Sequence, residues 1–196
     1  MKKKLVRYLI ITLPLLFLHS SYPSTLRVPS QYPTIQEAIN TSHNGDTVLV
    51  APGTYSGTNN YALSFLGKRI MVTSEAGFTV TIIDCQGLDR GCYFRSGEDS
   101  ASILEGFTIQ NGFAPSEEAG GGILCSDASP TIRNNFITLC EAYWGGGIGC
   151  LNASPIITNN SIIANHGERG GGIALLSSSN AIVRNNIISD NIASGG

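Results

Sequence analysis

The sequence is short of charge. It holds 12 basic and 14 acidic residues among 196. Four of the basic ones, Lys2, Lys3, Lys4 and Arg7, stand at the very start, which leaves 8 against 14, or about −6, for the rest. That balance offers no basic field to a phosphate backbone, so nucleic acid is excluded as a partner. Aromatic residues are few, and Trp144 is the single tryptophan. No apolar run reaches the ~20 residues of a membrane-spanning helix; Leu9 to Leu18 is short and broken by Thr12 and Pro14. The five cysteines show no Cys-x-x-Cys and no Cys/His spacing, which excludes a common zinc site.

Glycine is what the chain has in quantity, 23 residues, and its placement is regular. Gly-Gly-Gly-Ile occurs at Gly120–Ile123, Gly145–Ile148 and Gly170–Ile173, a period of 25 residues. Overlaying the copies sets Cys125 over Cys150 and Leu175, Ser129-Pro130 over Ser154-Pro155, and Asn134-Asn135 over Asn159-Asn160. The third copy reaches Asn185-Asn186 one residue late, and Gly195-Gly196 then falls where a fourth copy is due. A fixed period of this size means one structural unit stacked on itself.

Within a copy the apolar residues alternate, as in Ile123 and Cys125 around Leu124, and the runs are short and β-branched, as in Thr131-Ile132-Arg133. Alternation in short runs marks strands, and the Gly-Gly-Gly, Ser-Pro and Asn-Asn between them are turn chemistry. Three short strands and three turns per 25 residues predict an all-β parallel solenoid with coils ~4.8 Å apart. Ile123, Ile148 and Ile173 should form an inward ladder. Asn134, Asn159 and Asn185 should form a turn ladder, since Asn tolerates the left-handed conformation and its amide can bond the next coil. In these features the chain resembles the pectate-lyase-like right-handed parallel β-helix superfamily. Its Gly-Gly-Gly-Ile and Asn-Asn-x-Ile pattern is also similar to the repeats of bacterial polymorphic outer membrane proteins.

The basic start, the apolar stretch and the small residues Ser20, Ser21 and Ser24 predict a secretion signal over residues 1–24, hence a secreted or cell-surface protein. Residues 25–196 then make one β-helix domain of roughly six coils. Thr34, Glu37 and the apolar Ile35, Ala38 and Ile39 predict a short capping helix over Pro33 to Asn40. The run Tyr32-Pro33-Thr34-Ile35-Gln36-Glu37-Ala38-Ile39, followed by Gly45 to Tyr55, resembles the N-terminal cap and first coil of pectinesterases. Residues 58–119 read as less regular coils. No cap is recognisable at the other end, so further β-helix coils or a capping segment are expected there.

The superfamily contains lyases, esterases and hydrolases, and each chemistry can be looked for. Calcium-dependent lyases need clustered carboxylates with an Arg base. Asp84, Asp89 and Asp99, with Arg90 and Arg95, match no such motif and read as solvated loop charges. Hydrolases need Asp pairs on adjacent coils, yet Asp127 falls over Asn152 and Ser177, and Asp190 over Leu139 and Ala164. Asn165-His166-Gly167 lacks the first glycine of the polygalacturonase Gly-His-Gly. No catalytic residue is assigned and no metal site; calcium stays open as the one cofactor the resemblance brings. Cys85 and Cys92 can bridge a loop, Cys125 and Cys150 read as an inward core pair, and Cys140 as a turn residue.

The segment before each glycine turn reads as a loop and is the most variable part of each coil. Aligned back from the glycines, Glu118, Tyr143 and Glu168 share one column, and Ala119, Trp144 and Arg169 the next, with Glu141 and His166 beside them. Exposed aromatic rings next to carboxylates suit sugar contact through stacking and hydrogen bonds. Glu118, Glu141, Tyr143, Trp144, His166, Glu168 and Arg169 are therefore the candidate ligand site. The expected function is non-catalytic adhesion or binding of a polysaccharide or cell-surface glycan. The alternative is a polysaccharide-active enzyme whose active site lies outside this stretch of chain.

Overall fold

The computed structural model describes residues 22–115 and 118–195. The secretion signal expected over residues 1–24 falls, up to Ser21, outside the described residues. The chain winds into a parallel β-solenoid of about six turns. Each turn adds one strand to a seven-stranded, a six-stranded and a five-stranded sheet, all with parallel pairing between successive coils. The run Ile103 to Ile109 is two strands, Ile103–Glu105 and Thr108–Gln110, because Gly106 takes a positive φ of 81° and turns the chain between sheets.

The core is built of ladders. Val48, Val72, Leu104, Ile132 and Ile157 stack in the seven-stranded sheet, and Ile83, Ile109, Ile137 and Ile162 in the six-stranded one. Ile123, Ile148 and Ile173 stack in the five-stranded sheet, as the period requires. Cys125 sits directly over Cys150 in the same sheet. All five cysteines are buried and unbridged, so the Cys85–Cys92 bridge does not form. Burial pushes the Cys140 thiol up to about 12.

The Asn-Asn turns divide their labour differently from the expectation. Asn134, Asn159 and Asn185 do take the left-handed conformation, at φ of 55°, 57° and 56°. The amide ladder, however, is carried by the second Asn of each pair. Asn160 Oδ1 accepts from the Asn135 N–H at 3.0 Å, and the Asn160 amide donates to the Ile132 carbonyl at 3.0 Å. Asn186 repeats this one coil on. The left-handed residue points its own side chain away from the axis, which leaves its successor to face inward. Cys140, Asn165 and Asn191 form a parallel column, in which Asn165 Oδ1 accepts from the Cys140 N–H at 3.0 Å. The late third copy also keeps its shift. The Gly195 N–H donates to the Glu168 carbonyl as the Trp144 N–H donates to Glu118, which sets Gly195 in the column of Trp144 and Arg169 and not over Gly170.

The predicted helix spans Ile35–Thr41, with Thr34 Oγ1 accepting from the Glu37 N–H. It covers the first coil through Ile35, Ala38 and Ile39. Gln36 also behaves as a substitute strand. Its side-chain oxygen accepts from the Ser64 N–H at 2.8 Å and its amide donates to the Ser64 carbonyl at 3.0 Å, which satisfies the edge of the five-stranded sheet. At the opposite face Leu175, Val183 and Ile188 continue core ladders but are 47%, 40% and 49% exposed.

One outcome follows from this packing. Asn160→Ala should cost about 2–4 kcal/mol in chemical denaturation, because it strands a buried N–H and a buried carbonyl at once.

Candidate functional site

The variable segments are not loops. They pair as a fourth, three-stranded sheet of Glu141–Trp144, His166–Arg169 and Ile192–Ala193. The register sets Glu141 beside His166, His166 beside Ile192, and Trp144 beside Arg169. Isolated bridges add Phe113 beside Glu141 and Ala119 beside Trp144. Strand alternation buries Ala142 and Gly167 and leaves Glu141 and Glu168 exposed, with Tyr143 and His166 partly so.

Each glycine after this sheet has its own reason. Gly120, Gly145 and Gly170 hold positive φ of 72°, 63° and 73°. The third glycine of each turn lies under its neighbour in the stack: a Cβ on Gly122 or Gly147 would stand 2.7 Å or 2.6 Å from the next coil's glycine carbonyl. The turn folds over the outside of the five-stranded sheet, so that Gly149 lies against Ala119 and Gly120. That fold-over divides the candidate residues between two grooves.

On one side a hollow of about 300 Å³ is lined by Phe113, Ala114, Glu141, Ala142, Tyr143, His166 and Glu168. Phe113 and Glu141 also line a neighbouring hollow of about 410 Å³ with Asp84, Gln86, Asn111 and Leu139. The two make one trough along the solenoid. His166 Nδ1 stands 3.8 Å from a Glu141 carboxylate oxygen. Burial pushes the Asp84 carboxyl up, but hydrogen bonds from Asn111, the Gln86 N–H and Gln110 outweigh it and hold the group below its ordinary range.

On the other side a groove of about 360 Å³ is lined by Arg90, Glu118, Ala119, Leu124, Trp144, Leu151 and Leu176. Its apolar wall is the outer face of the five-stranded sheet. Arg169 lays its guanidinium 5.1 Å from the Trp144 ring centroid. Tyr143 and Trp144 meet edge to face at 5.2 Å across the ridge between the grooves. The expected single patch is therefore two. Glu141, Tyr143, His166 and Glu168 line the trough; Glu118 and Trp144 line the apolar groove, and Arg169 lies against the Trp144 ring.

Arg90 departs furthest from the sequence reading. It is not a solvated charge but 2% exposed. Its Nε donates to the Ala119 carbonyl at 3.0 Å and its Nη1 to the Tyr93 hydroxyl at 3.0 Å, while Nη2 donates to Glu118. Tyr93 donates in turn to Asp89, and burial together with that bond pushes the Tyr93 hydroxyl up. In the sequence, Leu124 turned outward between Ile123 and Cys125 was the signal for this groove's wall. Nothing in the repeat marked Arg90, which precedes the first regular copy.

The model of the right-handed β-helix region matches residues 69–195. The chain belongs to the right-handed β-helix family. No curated protein and no solved structure matches it. Membership in the β-helix family points in general to a surface or carbohydrate-related protein. The narrower likenesses to pectate lyases and to polymorphic outer membrane proteins gain no support from the family match. No helix of the described residues is long and apolar enough to cross a membrane.

The lock around Arg90 gives an asymmetric expectation for this β-helix. Arg90→Ala should destabilise by about 2–3 kcal/mol, since it opens a hole and leaves the Ala119 carbonyl without its donor. Glu118→Gln should cost about 1 kcal/mol or less, because Glu118 is half exposed and water replaces much of the bond. Paired thermal melts with matched denaturant curves would measure both.

Proposed function

We propose that this β-helix is a secreted or cell-surface protein that binds a polysaccharide or cell-surface glycan without catalytic chemistry of its own. One observation carries the reading: Tyr143 and Trp144 form a braced aromatic pair on the ridge between two grooves, each beside carboxylates. Rings with their faces and edges held by neighbours present a rigid apolar platform, and sugar rings stack on such platforms while their hydroxyls bond the carboxylates. The strip also runs along the solenoid axis, as suits an extended chain ligand.

Asp127 and Asp190 support a binding role over hydrolysis. Both stand in left-handed corner columns, at φ of 50° and 55°, among Asn152, Ser177, Leu139 and Ala164, so no coil pairs them with a second carboxylate. Scaffold alone does not separate adhesion from enzyme activity, which is why the reading rests on the ridge.

The test is a glycan array run beside a lyase and hydrolase screen on uronic-acid polymers. Bound glycans with no turnover are expected. Trp144→Ala or Tyr143→Ala should weaken binding about tenfold or more, as the loss of a stacking platform does, with an unchanged circular-dichroism spectrum. Turnover of any polymer, or full binding by both variants, would sink the proposal.

A further inference from the structure

We infer that the trough beside Tyr143 selects amino sugars: its ligand is a chain carrying free ammonium groups, of the glucosamine type, and not a polyuronate. The inference rests on the glycan-binding reading above and adds the charge of the ligand to it.

The trough is a concave strip with two aromatic rings, Phe113 and Tyr143, in its wall. Its charged lining is of one sign. Asp84, Glu141 and Glu168 contribute carboxylates, and no Lys or Arg is among the lining residues. Arg169, the nearest cation along the strand, is turned to the opposite side and engaged with the Trp144 ring. Among the described residues, neither Glu141 nor Glu168 pairs with Lys or Arg; Glu141 has only His166 beside it. Asp84 is held in its charged form by its hydrogen bonds.

Glu141 and Glu168 lie on successive coils, diagonally placed: one axial step of ~4.8 Å apart, comparable with one sugar residue, and two positions apart along the strands, since Glu141 is opposite His166. An ammonium on each sugar can therefore meet a carboxylate while the apolar face of the ring lies on Tyr143. A polyuronate in the same place sets carboxylate against carboxylate with no Lys or Arg between them, and such like-charge contact is how a site rejects a wrong ligand.

The experiment uses the whole chain and three hexasaccharides: glucosamine, N-acetylglucosamine and galacturonic acid. Calorimetric titration at low salt should rank glucosamine about tenfold tighter than its acetylated form, with no binding of the galacturonate. High salt should erase the difference. Glu141→Gln with Glu168→Gln should cut the preference for glucosamine about tenfold, to near parity with the acetylated chain, at an unchanged melting temperature. Galacturonate binding as tightly as glucosamine, or a preference that survives the double variant, overturns the charge selection. If neutral or acidic glycans then bind in a manner that depends on Tyr143 or Trp144, the glycan-binding reading stands without it. If no glycan binds at all, both fall.

Discussion

Everything in this protein depends on the interval between coils. Parallel strands one turn apart are fixed at ~4.8 Å by their backbone hydrogen bonds, so each residue has its counterpart in the next repeat as its nearest neighbour. A position must therefore tolerate a copy of itself directly above and below. Isoleucine does so by stacking methyl groups, and asparagine by passing an amide from coil to coil, as Asn135, Asn160 and Asn186 do. Glycine does so by having nothing to collide. Gly122 and Gly147 sit so close to the next coil's backbone that a single added carbon is refused. The conspicuous Gly-Gly-Gly is thus one turn residue followed by glycines required by closeness to other coils.

The same constraint decides where variation is free. Inward columns have to repeat, but an outward column on the three-stranded sheet reads Phe113, Glu141, His166, Ile192, four different chemistries in four successive coils. Nothing in the backbone pairing depends on which of them is present. Function on such a scaffold can therefore be written one coil at a time on the outer face, at little cost to the core. Arg90 is the exception. A guanidinium that is 2% exposed and fastened to Ala119, Tyr93 and Glu118 ties the irregular coils to the start of the regular ones.

What the sequence made legible follows the repeat. The period exposed the coil, the inward isoleucines and the columns of the ridge, because each is a regularity of spacing, and the capping helix showed itself through its own cap and apolar face. It misassigned the amide ladder to the first Asn of each pair, since spacing treats Asn134 and Asn135 alike and only the left-handed φ of 55° at Asn134 decides which side chain turns inward. It took Glu141 to Trp144 for a loop because polar residues beside a glycine turn look like one; the pairing that makes them strands is between coils and leaves no local mark. Separation of Tyr143 from Trp144 into two grooves was equally invisible, as it comes from the turn folding over Gly149.

The ridge carries a consequence of its own. Tyr143 and Trp144 are successive residues on one strand, so alternation sends their side chains toward opposite sides, yet the rings still meet at 5.2 Å. Each ring therefore braces the other, and Arg169 braces Trp144 from the next coil. A ligand seated on Tyr143 presses on a ring that is backed by Trp144, and a ligand in the apolar groove presses on Trp144 backed by Tyr143. The two grooves share this one aromatic contact, while the backbone ladder holds both residues in place. Loss of either ring thus removes one platform and loosens the other, which sets this ridge apart from two independent surface aromatics.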